Sequence, residues 1–157
     1  MIRIQSNDFD LSTEIAALRA NNLKIGAIAS FVGVVRDFSE NRAVSQLELE
    51  HYPGMTEKIL EKIVRQAKDR WKFIDARIIH RTGSLEPGDQ IVLVAVAATH
   101  RKEALAACEF IMDYLKTQAP FWKKEKTGKG YVWVNAREAD QKAMEKWENN
   151  HWAEEEK

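Results

Sequence analysis

The sequence predicts an α+β fold with antiparallel hairpins and about three main helices. Stretches with alternating or continuous β-branched residues, typical of strands, are interleaved with stretches whose apolar residues recur every three or four positions, typical of helices. The turn sequence EPGD at residues 86–89 joins two strand candidates directly, which favours antiparallel pairing. No internal repeat or linker is visible, so residues 1–157 are interpreted as one domain with a charged C-terminal tail from about residue 137.

The chain before Pro53 contains three predicted strands and one helix. IRIQ near the amino terminus alternates as a short strand does, and Asp10 precedes a helix predicted over residues 12–20. Residues 25–35, IGAIASFVGVV, are rich in β-branched and small residues and are interpreted as a buried strand. After the polar loop DFSENRA, the stretch VSQLELEHY alternates with Leu47 and Leu49 on one face, which predicts a half-exposed strand.

The second predicted helix follows the break at Pro53-Gly54. Its apolar residues recur at three- and four-residue steps, so they form one stripe that can pack on a core while the opposite face stays in water. The stripe consists of Met55, Ile59, Leu60, Ile63, Val64, Ala67 and Trp71.

A hairpin and a third helix follow. The segments DARIIHRTGSL and QIVLVAVAATH flank EPGD, in which Pro before Gly suits the centre of a type II turn. The run at residues 91–98 has no polar side, so its strand is predicted to be central and covered on both faces. The third helix is predicted over residues 100–117 and ends before Pro120. Its buried stripe comprises Ala104, Cys108, Ile111, Met112 and Leu115.

Two short strands and the tail complete the prediction. Phe121–Thr127 and Gly130–Val134 are interpreted as strands around the sequence TGKG. In the tail, Met144, Trp147 and Trp152 are the only large apolar residues, which predicts a short docked helix with a frayed acidic end.

Composition and charge exclude several classes of protein. The 24 Lys and Arg residues balance the 24 Asp and Glu residues, whereas broad nucleic-acid binding requires a basic excess that neutralises phosphates. The single cysteine cannot form an internal disulfide and indicates a reducing compartment. The amino-terminal MIRIQSNDFD has no apolar signal core, and no apolar run approaches membrane-spanning length. These features predict a cytoplasmic protein that binds neither nucleic acid nor membrane.

Cations gather at the start of the third helix. With Thr99 as the N-cap, His100, Arg101 and Lys102 fall in the first turn, where the helix dipole disfavours positive side chains. Free backbone N–H groups, the dipole and two cations together would form an anion receptor. Alternatively, these side chains extend into water and pair with nearby carboxylates.

Two lysines lie close to aromatic residues in MDYLKTQAPFWKKE. Lys116 projects from the edge of the buried helical stripe near the helix end, where cations are favoured in any case. Lys123 points away from the core if Trp122 points into it, and it then belongs to a solvated strand face. A lysine held among Tyr114, Phe121 and Trp122 would instead lose hydration, which lowers the pKa of an ammonium group and suits proton transfer or nucleophilic attack. Both interpretations stay open on these residues alone.

The other polar candidates give weaker signals. Arg36 follows the strand at residues 25–35 and is either surface decoration or part of a site near a bulge that Gly33 permits. Cys108 lies on a core stripe and is interpreted as inert packing. The histidines, which show no paired spacing of the kind found in zinc sites, are His51, His80, His100 and His151. The sequence therefore predicts no metal and no nucleotide cofactor.

Four segments together resemble a known family. They are EHYPGMTEKIL at residues 50–60, IIHRTGSLEPGD at residues 78–89, AATHRKEA, and FIMDYLKTQAPFWKKE. Their combination resembles the large, catalytic subunit of molybdopterin synthase, and the similarity extends from about residue 25 to residue 147. The resemblance implies a fold with an α/β-hammerhead-like part.

The resemblance also implies a reaction and an assembly. Members of this family are sulfurtransferases of molybdenum cofactor biosynthesis. They take sulfur from the thiocarboxylated C-terminal glycine of a small ubiquitin-like carrier and insert two sulfurs into cyclic pyranopterin monophosphate, which gives the dithiolene of molybdopterin. The implied assembly is a heterotetramer, in which two large subunits form a homodimer and each binds one carrier.

Matching motifs place the family's functional residues on this sequence. The two catalytic positions are Lys116, in LKTQAP, and Lys123, in PFWKKE. The implied substrate contacts are Arg36, His100, Arg101, Lys124, Glu125, Val34 and Val35. Some relatives carry a lysine at the positions of the two valines, so these valines could bind substrate only through their backbone.

A mechanism follows from the resemblance. Lys116 is expected to lie nearest the incoming glycyl thiocarboxylate and to act in proton transfer or in charge stabilisation of the acyl intermediate. Lys123 is expected to help hold substrate or intermediate, and a covalent role for a lysine is the alternative. Two other functions would use the same cations: a non-catalytic module that binds a ubiquitin-like tail or an anionic metabolite, and an independent lysine-dependent Schiff-base enzyme.

Overall fold

The computed structural model describes residues 1–134 and 138–149 and confirms the α+β prediction. In chain order the elements are β1 (Ile2–Gln5), α1 (Leu11–Arg19), β2 (Ala27–Val34), β3 (Phe38–Ser39), β4 (Arg42–Ala43), β5 (Gln46–His51), α2 (Met55–Arg70), β6 (Asp75–Arg81), β7 (Gly83–Leu85), β8 (Gln90–Ala98), α3 (Arg101–Gln118), β9 (Phe121–Thr127), β10 (Gly130–Val134) and α4 (Glu138–Asn149). The strands form two four-stranded sheets and the short β3–β4 hairpin, which lies inside the predicted polar loop. Helix α4 is the short helix predicted in the tail, and it follows the three main helices.

The first sheet has the order β1-β6-β8-β2, in which β1 is parallel to β6 and the other pairs are antiparallel. β8 lies inside this sheet and is buried from Val92 to Ala98, which confirms the predicted central strand. Val94 and Val96 pack with α2 and α3, whereas Leu93 on the opposite face packs with α1. Helices therefore cover both faces of β8.

β2 lies at the edge of this sheet, so the prediction that residues 25–35 form a buried strand is wrong. Within the described part of the chain β2 pairs only with β8, and Phe31 and Val34 are 41% and 47% exposed. Apolar composition indicates that the faces of a strand can be buried, but it does not show whether a second strand pairs with each of its two edges. A β-bulge between Gly33 and Val34 bends the strand where it leads to Arg36.

The second sheet has the order β10-β9-β5-β7 and is antiparallel throughout. Leu47 and Leu49 of β5 pack with Leu85 of β7 in a small core, as the alternation in β5 predicts. The chain passes from the first sheet to the second between β6 and β7. The predicted first strand of the central hairpin is therefore divided between two sheets.

The helices differ from the prediction in two details. Met55 is 47% exposed, and Thr56 is buried in its place, where its hydroxyl donates to a backbone carbonyl at 2.9 Å. Helix α3 begins at Arg101, so its N-cap is His100 rather than Thr99, and His100 makes no side-chain capping hydrogen bond. The predicted α3 stripe is buried at Ala104, Cys108, Ile111, Met112 and Leu115. No helix in the described ranges is long and apolar enough to cross a bilayer.

Helix α4 docks on α3, as predicted for the tail. Trp147 is 4% exposed, and its Nε1 donates to Asp113 Oδ2 at 2.7 Å. The Trp147 ring packs edge-to-face on Trp71 and Phe110, which joins α4 to both α2 and α3. The start of the tail at residue 137, Trp152 and the predicted acidic end lie outside the described residues.

Candidate active site

A cleft of about 220 Å³, which we call the polar cleft, opens beside the end of β2. Its walls come from β2 and the loop that follows, the end of α3, the start of β9 and the first turn of α4. The lining residues are Val34, Val35, Arg36, Ser39, Val44, Leu47, Ile91, Lys116, Phe121, Lys123, Glu125, Val134 and Asp140. Both predicted catalytic lysines and four of the predicted substrate contacts therefore meet at one place.

The alternation of β9 decides which of its side chains enter the cleft. Phe121, Lys123 and Glu125 share the inner face, and Glu125 is buried. Trp122 lies on the opposite face and is 45% exposed. Since successive side chains of a strand point to opposite faces, an outward Trp122 requires an inward Lys123. One interpretation of the sequence had Trp122 pointing into the core and Lys123 on a solvated face. The structure shows the opposite orientation for both residues.

Lys124 lies on the outer face of β9, away from the polar cleft. Its Nζ is 3.8 Å from a carboxylate oxygen of Glu50 on β5 and 4.4 Å from the ring centroid of Trp133 on β10. A cation over an aromatic face and beside a carboxylate is stabilised without any ligand. Of the two neighbouring lysines, the structure brings only Lys123 into the cleft.

The backbone around Val35 is held by the type II turn at residues 86–89, which the structure confirms. Gly88 has φ +93°, and the Asp89 N–H donates to the Glu86 carbonyl at 2.9 Å. The Val35 N–H donates to the Asp89 carbonyl at 2.9 Å, and the Val35 carbonyl accepts from Gly88 at 2.8 Å. The Val35 N–H is therefore already used inside the protein. Val34 pairs with β8 across the bulge.

His100 and Arg101 lie at the other end of the first sheet. They line a separate depression with Gly26, Ala27, Thr99 and Lys102 at the start of α3. The two ends of β2 are seven residues apart, which at about 3.3 Å per residue separates them by roughly 23 Å. Within one chain, these cations and Arg36 cannot contact the same small molecule.

A second hollow, which we call the apolar pocket, adjoins the polar cleft and has a volume of about 270 Å³. Most of its lining is apolar, and the residues it does not share with the polar cleft are Phe31, Val32, Gly33, His80, Val92, Met112, Leu115 and Ala119. The two hollows share Lys116, Phe121 and Lys123, together with Val34 and Ile91. The lysines thus stand at the boundary between a polar and an apolar compartment.

His80 is a buried residue of this region that the sequence argument did not select. It is 3% exposed, its Nδ1 lies 2.8 Å from the Arg81 carbonyl, and its ring stacks on Phe121 with centroids 3.7 Å apart and planes at 14°. Burial lowers the pKa of His80 to about 4, to which the positive charge of Lys123 contributes. His80 is therefore neutral near neutral pH. The apolar neighbours in the stretch RIIHR were the available signal that this histidine is buried.

Two other predictions concern reactive groups. The Cys108 thiol is buried beside the Val94 carbonyl, and burial raises its pKa to about 11, so it is a poor nucleophile, as predicted. Among the described residues, no group of three His, Cys, Asp or Glu side chains is placed to hold a metal ion. Asp140 is a further cleft residue that sequence reasoning missed, because the fold of α4 alone brings it there.

Comparisons with known proteins identify the family. The family model of the MoaE protein matches residues 4–118. The molybdopterin synthase catalytic subunit of Ralstonia nicotianae is 63% identical over 146 residues, which cover 93% of this chain and 83% of that protein. The solved structure of the molybdopterin biosynthesis MoaE protein from Burkholderia ambifaria MC40-6 has 59% sequence identity and a TM-score of 0.82, and the match covers 96% of this chain and 99% of that chain.

A more distant structure is a protein–protein complex of subunits 1 and 2 of molybdopterin-converting factor from Helicobacter pylori. It matches at 25% identity with a TM-score of 0.72 and covers 87% of this chain and 91% of that chain. The family model covers well over half of the chain, and the sequence identities extend over nearly all of it. The chain therefore belongs to the MoaE family of molybdopterin synthase catalytic subunits, which are sulfurtransferases of molybdenum cofactor biosynthesis.

Proposed function

We propose that the polar cleft is where sulfur passes from the thiocarboxylated glycine of a small ubiquitin-like carrier to cyclic pyranopterin monophosphate. The observation that carries this proposal is the meeting of Lys116, Lys123 and Arg36 from three different elements at the edge of an apolar pocket. Lys123 is only partly exposed, and partial removal from water strengthens the attraction between a cation and a developing negative charge. Such a site suits an anionic substrate and an anionic sulfur donor.

Lys116 is the residue that we assign to the acyl group of the carrier. It lies on the last turn of α3, and its exposed side chain lines both hollows. The thiocarboxylate sulfur bonds to a side-chain carbon of the pterin and displaces an oxygen substituent from it. Water then attacks the acyl carbon, negative charge develops on the acyl oxygen, and the acyl–sulfur bond breaks to leave the sulfur on the pterin. An ammonium group beside that oxygen stabilises the charge or supplies a proton. The carrier then leaves with an ordinary carboxylate.

Lys123 and Arg36 are assigned to the pterin substrate and its phosphate. Arg36 is exposed at the mouth of the polar cleft, where a guanidinium group can bind phosphate through two parallel hydrogen bonds. Glu125 and Asp140 also line this cleft, and their carboxylates can accept hydrogen bonds from the N–H groups of a pterin ring. Asp140→Asn should then raise the KM for the pterin without changing the KM for the carrier, and an unchanged pterin KM would refute this role.

His100 and Arg101 require a second chain if they bind the same substrate. Their distance from the polar cleft of the same chain supports a contribution to the cleft of the other large subunit in a homodimer. Lys124, which faces outward beside Glu50 and Trp133, is assigned no contact with the pterin. Val34 and Val35 are assigned to the wall of the cleft rather than to specific binding.

The proposed assembly is a heterotetramer of two large subunits, each with one carrier. The relative from Helicobacter pylori, a complex of two subunits of molybdopterin-converting factor, supports the carrier as a partner. We place the protein in the cytoplasm as a single domain, because its one cysteine is buried as a free thiol and the chain shows no linker.

The test is reconstitution of the reaction with purified components. Wild-type protein, thiocarboxylated carrier and cyclic pyranopterin monophosphate should yield molybdopterin, measured as its fluorescent oxidised derivative. Lys116→Ala should yield almost none, while Lys126→Ala, which removes an exposed lysine from the outer face of β9, should match wild type. Carrier binding without any product from wild type would contradict the assignment and favour a binding module.

A further inference from the structure

The segment at residues 116–123 carries both lysines of the proposed site, and we call it the α3–β9 corner. Lys116 lies in the last turn of α3, Pro120 blocks continuation of the helix, and Lys123 is the third residue of β9. Near the turn itself, the Phe121 N–H donates to the Ala119 carbonyl at 2.9 Å. The separation and direction of the two ammonium groups therefore depend on how firmly this short segment is held.

Phe121 contacts two histidines that belong to different sheets. Its ring stacks on His80 of β6, with centroids 3.7 Å apart and planes at 14°. It also contacts His51 of β5, with centroids 6.3 Å apart and planes at 33°. Phe121 also lines both the polar cleft and the apolar pocket. It therefore links the first sheet to the corner that carries the lysines.

The state of His80 suits it for this contact. Its Nδ1 lies 2.8 Å from the Arg81 carbonyl, so Nδ1 carries the proton and the ring orientation is fixed by the strand's own backbone. The ring is almost fully buried, and burial, aided by the positive charge of Lys123, keeps it neutral. His80 therefore adds no positive charge to the wall beside Lys123.

We propose that His80 is a positioning residue of the sulfur-transfer site, which acts through Phe121 to hold the α3–β9 corner and its two lysines in place. This inference rests on the proposed function, since it concerns the geometry of the same site. A catalytic group that is displaced by about 1 Å loses about 100-fold in rate, so a ring that prevents movement of the corner has a kinetic effect without contacting substrate. The ring stack, rather than the imidazole nitrogens, is the feature required.

Two substitutions separate the ring from its nitrogens. His80→Phe keeps an aromatic ring against Phe121 and removes both nitrogens, whereas His80→Gln keeps an N–H donor for the Arg81 carbonyl and removes the ring. Ile79→Ala is the matched control, because Ile79 is its fully buried neighbour on β6 and packs with α1 on the other face of the sheet. This control loses stability without touching Phe121.

The experiment measures kcat and the KM for both reactants in the reconstituted reaction, together with the thermal midpoint of each variant. We expect His80→Gln to lower kcat by about tenfold or more with little change in the KM for the carrier, and the kcat of His80→Phe to remain within about threefold of wild type. Ile79→Ala should keep the wild-type kcat at temperatures where it is folded. This pattern is not expected from loss of stability alone.

Two outcomes would overturn the inference. One is a folded His80→Phe variant whose kcat falls as far as that of His80→Gln, which would assign the effect to the nitrogens. The other is a wild-type kcat in His80→Gln, which would leave His80 as ordinary core packing. Failure of the proposed function is distinguishable from both, because wild-type protein would then form no molybdopterin at all.

Discussion

The two ends of β2 both carry cations, and they differ in how those cations are held. At its start, His100, Arg101 and Lys102 come from a single helix terminus and line a shallow depression. At its end, Arg36, Lys116 and Lys123 come from a loop, a helix and a strand, and carboxylates and an apolar pocket lie beside them. Convergence of several elements is what distinguishes a chemical site from a charged surface, because local chain geometry alone does not produce it.

The largest expected effect is a difference in activity between variants of two neighbouring lysines on β9, Lys123 and Lys124. Lys123→Ala should reduce both kcat and kcat/KM for the pterin by about 100-fold or more, because it removes the positive charge assigned to hold the pterin and its reaction intermediate in the cleft. Lys124→Ala should leave kcat within about threefold of wild type, because its side chain lies on the outer face beside Glu50 and Trp133. Single-turnover formation of molybdopterin measures both. Equal losses would mean that the two faces of β9 are not distinguished as described.

The next prediction concerns Arg36, at the cleft end of β2. Arg36→Ala should raise the KM for the pterin by about 10- to 100-fold, because charge-assisted hydrogen bonds to phosphate contribute roughly 1.5–3 kcal/mol. Steady-state kinetics at saturating carrier concentration measure this KM. An unchanged value would remove Arg36 from the phosphate site.

Mixed dimers test whether Arg101 serves the second subunit. A dimer of one Lys116→Ala chain and one Arg101→Ala chain contains one site with both changes and one intact site if Arg101 acts across the dimer. It should then recover about half of the wild-type activity, whereas each homodimeric variant is impaired. Activity no higher than that of the single variants would place the function of Arg101 within its own chain.

A pH dependence of stability is expected from His80 at the cleft end. Its pKa is about 4 in the folded protein, against an ordinary value of 6.5, so the unfolded chain binds the proton more readily. The free energy of unfolding should therefore fall as the pH drops from about 7 to 5, by about 2 kcal/mol. Urea denaturation of wild type and His80→Phe measures this, and the variant should lack this contribution. If the free energy of unfolding changed equally with pH in wild type and His80→Phe, this would contradict a neutral, buried His80.

The smallest predicted effects again compare the two ends of β2. A Cβ at Gly26 would overlap the Thr99 carbonyl oxygen, which belongs to the backbone, so Gly26→Ala should cost about 1–3 kcal/mol of stability. A Cβ at Gly33 would lie 2.8 Å from Cγ1 of the buried Val92, which is a side-chain atom rather than a backbone atom, so Gly33→Ala should cost less than Gly26→Ala, about 1 kcal/mol. Urea denaturation measures both, and a larger loss for Gly33→Ala would reverse the comparison.

Much of the secondary structure followed from local patterns. Strands β9 and β10 match their predicted bounds, the alternation of β5 identifies Leu47 and Leu49 as buried, and the EPGD sequence forms the expected type II turn. These features depend on residues a few positions apart. Side-chain periodicity and the conformational preferences of Pro and Gly therefore suffice to predict them.

The candidate site was predicted only in part. The family motifs selected Lys116 and Lys123, and the fold brings them together, although their roles stay proposals. The sequence grouped Arg36 with His100 and Arg101, whereas the fold separates them, because β2 runs its full length between the two ends. No short-range pattern measures that distance.

The sequence by itself determined the α+β class, most of the elements and the family, since each is encoded by local periodicity or by contiguous motifs. Only the tertiary structure decided that β2 is an edge strand, that Lys123 rather than Lys124 enters the cleft, and that His80 stacks on Phe121. Each of these depends on pairing between segments distant in the chain. Such pairing follows from the packing of the whole core rather than from the preferences of any one segment.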